Sequence, residues 1–220
     1  MCGRYHVENE EDVFAMREII DMINRRLGDK PETQAMRTGE IFPTNIAPVI
    51  IRGQDGIVPG PMAWGMPGAG RPIINARQET IHEKPMFAKS FQERRVVIPT
   101  TGFYEWSHDA KKKAIDKFLF RIPGEKMLYL AGIWNTFTLP SGKREARFAI
   151  ITTEPNSSMT PFHDRMPVML YPDEREAWLN GSLSISELIK RKQPMLEAMA
   201  MEKKPKPEPE PPSESQLSLF

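Results

Sequence analysis

Cys2 is the one cysteine in a chain of 220 residues, and it directly follows Met1. Methionine is commonly trimmed before a small second residue, and cysteine is small enough. The trimmed chain would begin with an α-amine and a thiol on the same residue. Their reference pKa values, about 8 and about 8.5, leave a deprotonated fraction of each near neutral pH. An amine condenses with an aldehyde to a Schiff base, and a thiol two carbons away can close on that imine to give a five-membered thiazolidine. A cysteine inside a chain has no free amine and cannot form the ring. Two other readings of Cys2 stand beside this one. It suits a small buried apolar residue, and it suits the nucleophile of an N-terminal-nucleophile hydrolase whose α-amine acts as base.

Other stretches carry residue types fit for chemistry. "INAR" holds Asn75 and Arg77, which an extended strand would place on one face; Asn75 also suits a turn at a strand end. "GFYEW" holds Glu105 between Tyr104 and Trp106. A carboxylate among aromatics is a candidate for a raised pKa and for proton transfer; the plainer reading is an exposed strand glutamate paired to a lysine. "HDRMPV" holds His163, which could shuttle a proton near neutrality or simply bond Asp164 or backbone. His6, His82 and His108 read as surface residues. With one cysteine and no HxxxH or paired-carboxylate spacing, neither a metal nor a cofactor is expected.

The elements that must hold these residues read as an α+β domain, mostly antiparallel β with a few peripheral helices. Val13, Met16, Ile20, Ile23 and Leu27 recur at helical spacing and predict a helix over about 10–27, capped by Asn9 and followed by Gly28. From residue 41 to 153 short apolar runs ("APVIIR", "RPIIN", "RVVIPT", "KFLFRI", "MLYLAGIW", "RFAIITT") alternate with Gly, Pro and Asn, the pattern of strands joined by turns. "DRMPVML" reads as one more strand. Helices are expected at "PDEREAWLN", with Asp173 near its start, and at "SISELIKRK", with Ser184 as cap.

Composition sets the outer limits. Hydrophobic residues make up 40% and charged residues 27%, ordinary for a soluble globular protein. No apolar run reaches the ~18–20 residues of a membrane span. The acidic start (Glu8, Glu10, Glu11, Asp12) is unlike a secretory leader, and the lone thiol points to a reducing cytoplasm. A net charge of +1, from 30 basic and 29 acidic side chains, exerts no global pull on nucleic acid, so any such binding must use a local basic face.

The ordered set "MCGRY", "NIAP", "INAR.ET", "EKP.F", "RR..IP..GFYEW", "AGIW", "FAIITT" and "HDRMPV" resembles the SOS-response-associated peptidase (SRAP) family, from Cys2 to about Trp178. The resemblance implies a barrel-like fold and a protein that traps abasic sites in single-stranded DNA.

 The chain is expected to act as a monomer in the cytoplasm, at the nucleoid, with no membrane partner. By the same resemblance Cys2, freed of Met1, forms the thiazolidine with the ring-opened sugar, whose aldehyde fits the amine and thiol pair. Asn75 orients the amine, Glu105 is the nearby acid or base, and His163 serves the sugar oxygen. Arg4 and Arg77 are the candidates for the DNA backbone, since a guanidinium matches a phosphate. Asn45 and Thr152 join them as hydrogen-bond donors. Arg165 reads either as a phosphate contact or as a partner of Asp164. Trp64 reads as a stacking platform for a base or as core. The stretch "WGMPGAGRPIINAR" is shorter than in the family, which leaves the aromatic wedge beside the lesion either missing or supplied by Phe87 or Phe91. The family name keeps open a cysteine-dependent peptidase or amidase, and lyase-like chemistry follows from a Schiff base.

The domain is expected to span residues 1–200. Residues 201–215 are rich in Pro, Glu and Lys and read as a disordered linker. The chain closes on "QLSLF" at 216–220. This resembles the short peptide by which bacterial proteins dock on the replication sliding clamp: Leu217, Leu219 and Phe220 would fill an apolar groove while Gln216 sets register. A non-catalytic module recruited by the clamp is the remaining alternative.

Overall fold

The structure is a computed structural model that describes residues 2–8, 13–54, 56–108 and 114–202, apart from the side chain of residue 185. The expected linker and "QLSLF" peptide, and the expected cap Asn9, lie outside the described residues. In chain order the elements are β1 (Tyr5–Val7), α1 (Phe14–Leu27), α2 (Pro31–Gln34), β2 (Gly39–Ile41), β3 (Ile46–Gly53) and β4 (Gly56–Trp64). There follow β5 (Asn75–Arg77), α3 (Pro85–Glu93), β6 (Arg95–Thr100), β7 (Gly102–His108), β8 (Ala114–Arg121) and β9 (Leu128–Thr138). The last are β10 (Arg144–Thr153), β11 (Met166–Pro167), α4 (Glu174–Asn180), α5 (Ile185–Lys190) and β12 (Glu197–Ala200).

Strands β10, β4, β3, β6 and β9 pair in that order, and β9 pairs back onto β10, which closes a barrel. All of these pairings are antiparallel except the parallel one between β10 and β4. Closure leaves fewer open edges to pair with other chains. The barrel-like α+β expectation is borne out. A second sheet, ordered β12-β8-β7-β1-β2, packs against the barrel. One apolar cluster joins the two, with Tyr5, Phe103 and Phe120 from the sheet meeting Trp64, Ile98 and Phe148 from the barrel. Another seats Phe87 and Phe91 of α3, Trp178 of α4 and Leu188 of α5 against Val97, Ile133 and Ile151.

Local chemistry explains most boundaries. In α1 the stripe Met16, Ile20 and Ile23 is buried, and Ile19 widens it. Gly28 follows it with φ −53°, helical rather than left-handed. Ser184 and Glu187 form the reciprocal capping box that starts α5, whereas Asp173 makes no side-chain cap on α4. Strand β4 carries Pro59 and Pro61 and still forms, because β10 pairs only with Ala63 and Trp64. Upstream of these its far edge needs no N–H for a ladder. Gly65 ends β4 at φ +108°, and a Cβ there would meet Pro72 at 2.8 Å. No helix of the described residues is long and apolar enough to cross a membrane.

Candidate functional site

Strand β1 runs between β2 and β7, with Tyr5 opposite Phe103. Tyr104 N–H donates to the Arg4 carbonyl at 2.8 Å, so the ladder continues toward residue 2. This register carries the first residues past Glu105. Cys2 is fully buried in the apolar cluster that joins sheet and barrel. Its Sγ lies 3.9 Å from the Arg4 carbonyl oxygen. Burial pushes the thiol pKa strongly up, and the negative charge of Glu105 adds to the rise. The thiol is therefore held protonated.

Asn75 opens β5, which lies parallel to β10 with Asn75 opposite Ile150. Its Nδ2 donates to the Cys2 carbonyl oxygen at 3.1 Å. Among the described residues its buried Oδ1 has no hydrogen-bond partner. Ala76 is buried between half-buried Asn75 and exposed Arg77, the alternation of a strand.

Glu105 is 4% exposed, which corrects the plainer reading of it as a surface glutamate. Burial raises its carboxyl pKa. His163 sits in the loop between β10 and β11, and burial lowers its imidazole pKa. Its Nδ1 lies 2.7 Å from Asp164 Oδ1 and 3.0 Å from the Arg165 backbone N–H. The two contacts favour opposite protonation of that nitrogen: the carboxylate favours N–H, and the backbone donor favours a bare lone pair. Asp164 and His108 act electrostatically on both Glu105 and His163, which places all four in one neighbourhood. Among the described residues no group of three or more His, Cys, Asp or Glu could hold a metal ion.

On the outer face of the second sheet, cations and aromatics interleave. Arg4 donates to Glu40 at 3.0 Å, and its guanidinium lies 3.9 Å from the centre of the Phe42 ring and 5.3 Å from that of Trp106. Lys117 on β8 meets the same Glu40 oxygen at 2.6 Å and covers Tyr104 at 3.9 Å. Phe42 is 42% exposed. Sequence reasoning assigned nothing to Phe42, Glu40, Trp106 or Lys117. The available signal was the strand period, which puts Arg4 and His6, or Tyr104 and Trp106, on one side.

Several other candidates sit differently from their expected places. Trp64 is fully buried, edge-on to Tyr5 and stacked on Phe148, with Nε1 donating to the Ile74 carbonyl. It is core, and the stacking-platform reading is corrected. Phe87 and Phe91 are buried against the barrel and supply no wedge. Thr152 is fully buried, and it is its carbonyl that serves, accepting from Arg165 Nη2 at 2.8 Å. Arg165 also holds Glu79 at 2.8 and 3.0 Å, so its carboxylate partner is Glu79 and not Asp164. Asn45 accepts from Phe42 N–H through Oδ1 and from Trp64 N–H through its carbonyl. It shapes the turn that presents Phe42, with Thr44 at φ 76°.

This fold and these motifs define a class. The family model described as "SOS response associated peptidase (SRAP)" matches residues 1–205, and the chain belongs to that family. Among its relatives, the abasic site processing protein YoqW of Bacillus subtilis is 34% identical over 193 residues, covering 82% of this chain and 80% of the relative. The abasic site processing protein YedK of Escherichia coli is 28% identical over 196 residues, covering 85% and 83%. HMCES of Xenopus tropicalis, of the same description, is 27% identical over 140 residues, covering 55% and 42%. A crystal structure of a Bacteroides thetaiotaomicron protein superposes with TM-score 0.69 at 23% identity, covering 91% of this chain and 92% of that one. A phage-related protein of Bordetella bronchiseptica superposes at 0.66 with 20% identity, covering 92% and 95%. At those identities the two structures show the shared fold.

Proposed function

We propose that the protein processes abasic sites in single-stranded DNA by capturing them covalently through Cys2 once Met1 has been removed. The observation that carries this reading is the convergence of Cys2, Asn75 and Glu105: Asn75 holds the Cys2 carbonyl, and buried Glu105 acts on the Cys2 thiol. The relatives described as abasic site processing proteins support the substrate class.

The chemistry balances as follows. The Cys2 amine adds to the aldehyde carbon of the ring-opened sugar, and water leaves to give the imine. The thiol sulfur then bonds to that carbon, and its proton ends on the nitrogen, which closes the thiazolidine. A raised carboxyl pKa keeps Glu105 able to donate a proton to the departing hydroxyl and to take one from the thiol. His163, held near neutrality in its uncharged form, serves the sugar oxygen during ring opening. Reversal runs the same steps backwards, and a persistent imine would give lyase-like strand scission.

The peptidase reading asks for a thiolate that attacks an amide. The relatives described as abasic site processing proteins favour capture, so we place it first. The only proteolysis we assign is removal of residue 1. For the DNA path we assign Arg4, Arg77 and the Phe42–Trp106 face, where base stacking and phosphate pairing would combine. We further infer that residues 216–220 dock on the sliding clamp while the Pro-rich stretch before them gives reach.

The test is a denaturing gel. Protein mixed with a uracil-containing oligonucleotide treated with a glycosylase is expected to give a slower band that disappears in Cys2→Ala. No adduct, or an adduct that persists in Cys2→Ala, would refute the reading. Deleting residues 216–220 is expected to leave that band intact and to abolish binding to purified clamp.

A further inference from the structure

The strand order β8-β7-β1-β2 puts Lys117 and Glu40 on strands separated by two others. Glu40 lies opposite His6 of β1, and Lys117 lies opposite Trp106 of β7. With neighbouring strands about 4.8 Å apart, the backbones of β2 and β8 stand roughly 14 Å from each other. Yet Lys117 Nζ reaches Glu40 Oε1 at 2.6 Å, and Arg4 Nη1 donates to that same oxygen at 3.0 Å. The two long side chains must lie flat across the sheet to meet. Lys117 Nζ thereby covers the Tyr104 ring, 3.9 Å from its centre, and Tyr104 is 4% exposed.

Arg4 and Lys117 would repel each other so close together if no anion stood between them. Burial alone would raise the carboxyl pKa of Glu40, but the hydrogen bonds from Lys117 and Arg4 outweigh it and lower that pKa. At neutral pH the centre of the triad is therefore a carboxylate, an oxyanion gripped by a guanidinium and an ammonium. A DNA phosphate is held by the same two groups. The three side chains are 25–29% exposed, and ion pairs so open to water contribute little, so an oxyanion arriving from solvent can take the carboxylate's place. Phe42 and Trp106 flank the Arg4 guanidinium, which gives a phosphate at the triad aromatic faces for the base attached to it.

We propose that Glu40 stands in for a DNA phosphate: it holds Arg4 and Lys117 in the free protein and is displaced when a single strand binds. The inference rests on the function proposed above and names the residue that sets its selectivity. Every strand must first break the two bonds of Glu40, so undamaged DNA is held weakly. Long residence is left to strands that offer Cys2 a lesion.

The experiment measures fluorescence anisotropy of a short, labelled, undamaged oligonucleotide at a series of salt concentrations, for wild type, Glu40→Gln and Lys117→Ala. A thermal melt checks that each variant is folded. Glu40→Gln keeps the size of the side chain and removes its charge. It should bind about fivefold tighter at low salt, the effect of one unit charge about 4 Å away in water. Its slope of log affinity against log salt should steepen by about 0.7, because one more cationic charge is free to meet a phosphate. Lys117→Ala should bind more weakly, with a shallower slope. Glu40→Gln binding equal to or weaker than wild type would mean that Glu40 positions the cations or only packs, and would overturn the inference, as would unchanged binding by Lys117→Ala. Adduct formation by wild type on an abasic oligonucleotide, run in parallel, keeps the two claims apart. An adduct without tighter Glu40→Gln binding overturns the role of Glu40 and leaves capture standing. No adduct overturns both.

Discussion

Asn75 Nδ2 donates to the Cys2 carbonyl oxygen at 3.1 Å across 73 residues of chain, which ties the first described residue to the β5 end of the barrel. The other end of the same amide, Oδ1, is buried with no partner among the described residues. An amide fixed at its nitrogen, with its oxygen unmet, suits an incoming N–H such as the freed Cys2 amine. Asn75→Ala removes both functions and should slow adduct formation about tenfold, the worth of one to two hydrogen bonds. Single-turnover gels at fixed protein concentration measure this. An unchanged rate would remove Asn75 from the chemistry.

Glu105 makes a prediction about pH and stability. Burial raises its folded pKa above the unfolded value. At pH values below the ordinary carboxylate pKa, both states carry the neutral acid and the residue exacts no penalty. As pH rises through the folded pKa, the unfolded chain ionises freely while the folded one must bury a charge, so stability is lost. Glu105→Gln removes this titration. The melting temperature of the variant relative to wild type should therefore rise between pH 4 and pH 8. A difference that stays constant across that range would contradict the burial argument.

Barrel strands β3, β6, β9 and β10 were legible because their apolar runs are long and set off by turn residues. The strands that escaped lack such a run. Pro59 and Pro61 break the β4 pattern, and β12 is exposed along its whole length. Helix α3 escaped because Phe87 and Phe91 are its only large buried side chains, too few to show a period. At the site, motif content singled out Cys2, Asn75 and Glu105, but no spacing rule brings residues 2 and 75 together; only β5 lying beside β10 does so. Trp64 was open to misreading because residue type does not say which way a ring points. Its indole N–H is met inside, by Ile74, and Phe42 is the ring that faces out.

The two tryptophans should consequently part in mutagenesis. Trp64→Ala opens a cavity in the main core and should cost about 3–5 kcal/mol of stability. Trp106→Ala leaves the core filled and should change the melting temperature little. It should instead weaken single-stranded DNA binding by about 1–3 kcal/mol through lost stacking. Thermal melts and fluorescence anisotropy read the two effects separately. A Trp64 variant with native stability and impaired DNA binding would reverse the assignment.

Arg77 and Arg165 should differ in salt dependence. Arg77 is exposed at the end of β5, whereas Arg165 is engaged by Glu79 and the Thr152 carbonyl. If Arg77 meets a phosphate, Arg77→Ala lowers the slope of log affinity against log salt by about 0.7 for a single strand. Arg165→Ala should lower stability and leave that slope close to wild type. Affinities between about 50 and 300 mM salt, over which the Debye length falls from about 14 to about 6 Å, discriminate the two.

The central claim concerns the first residue of the mature chain, and peptide-level mass spectrometry of the purified DNA adduct addresses it directly. The account predicts that Met1 is absent and that the sugar remnant sits on Cys2, with a mass equal to the two components less one water. A remnant attached to a lysine, or an adduct whose Cys2 still carries Met1, would contradict it.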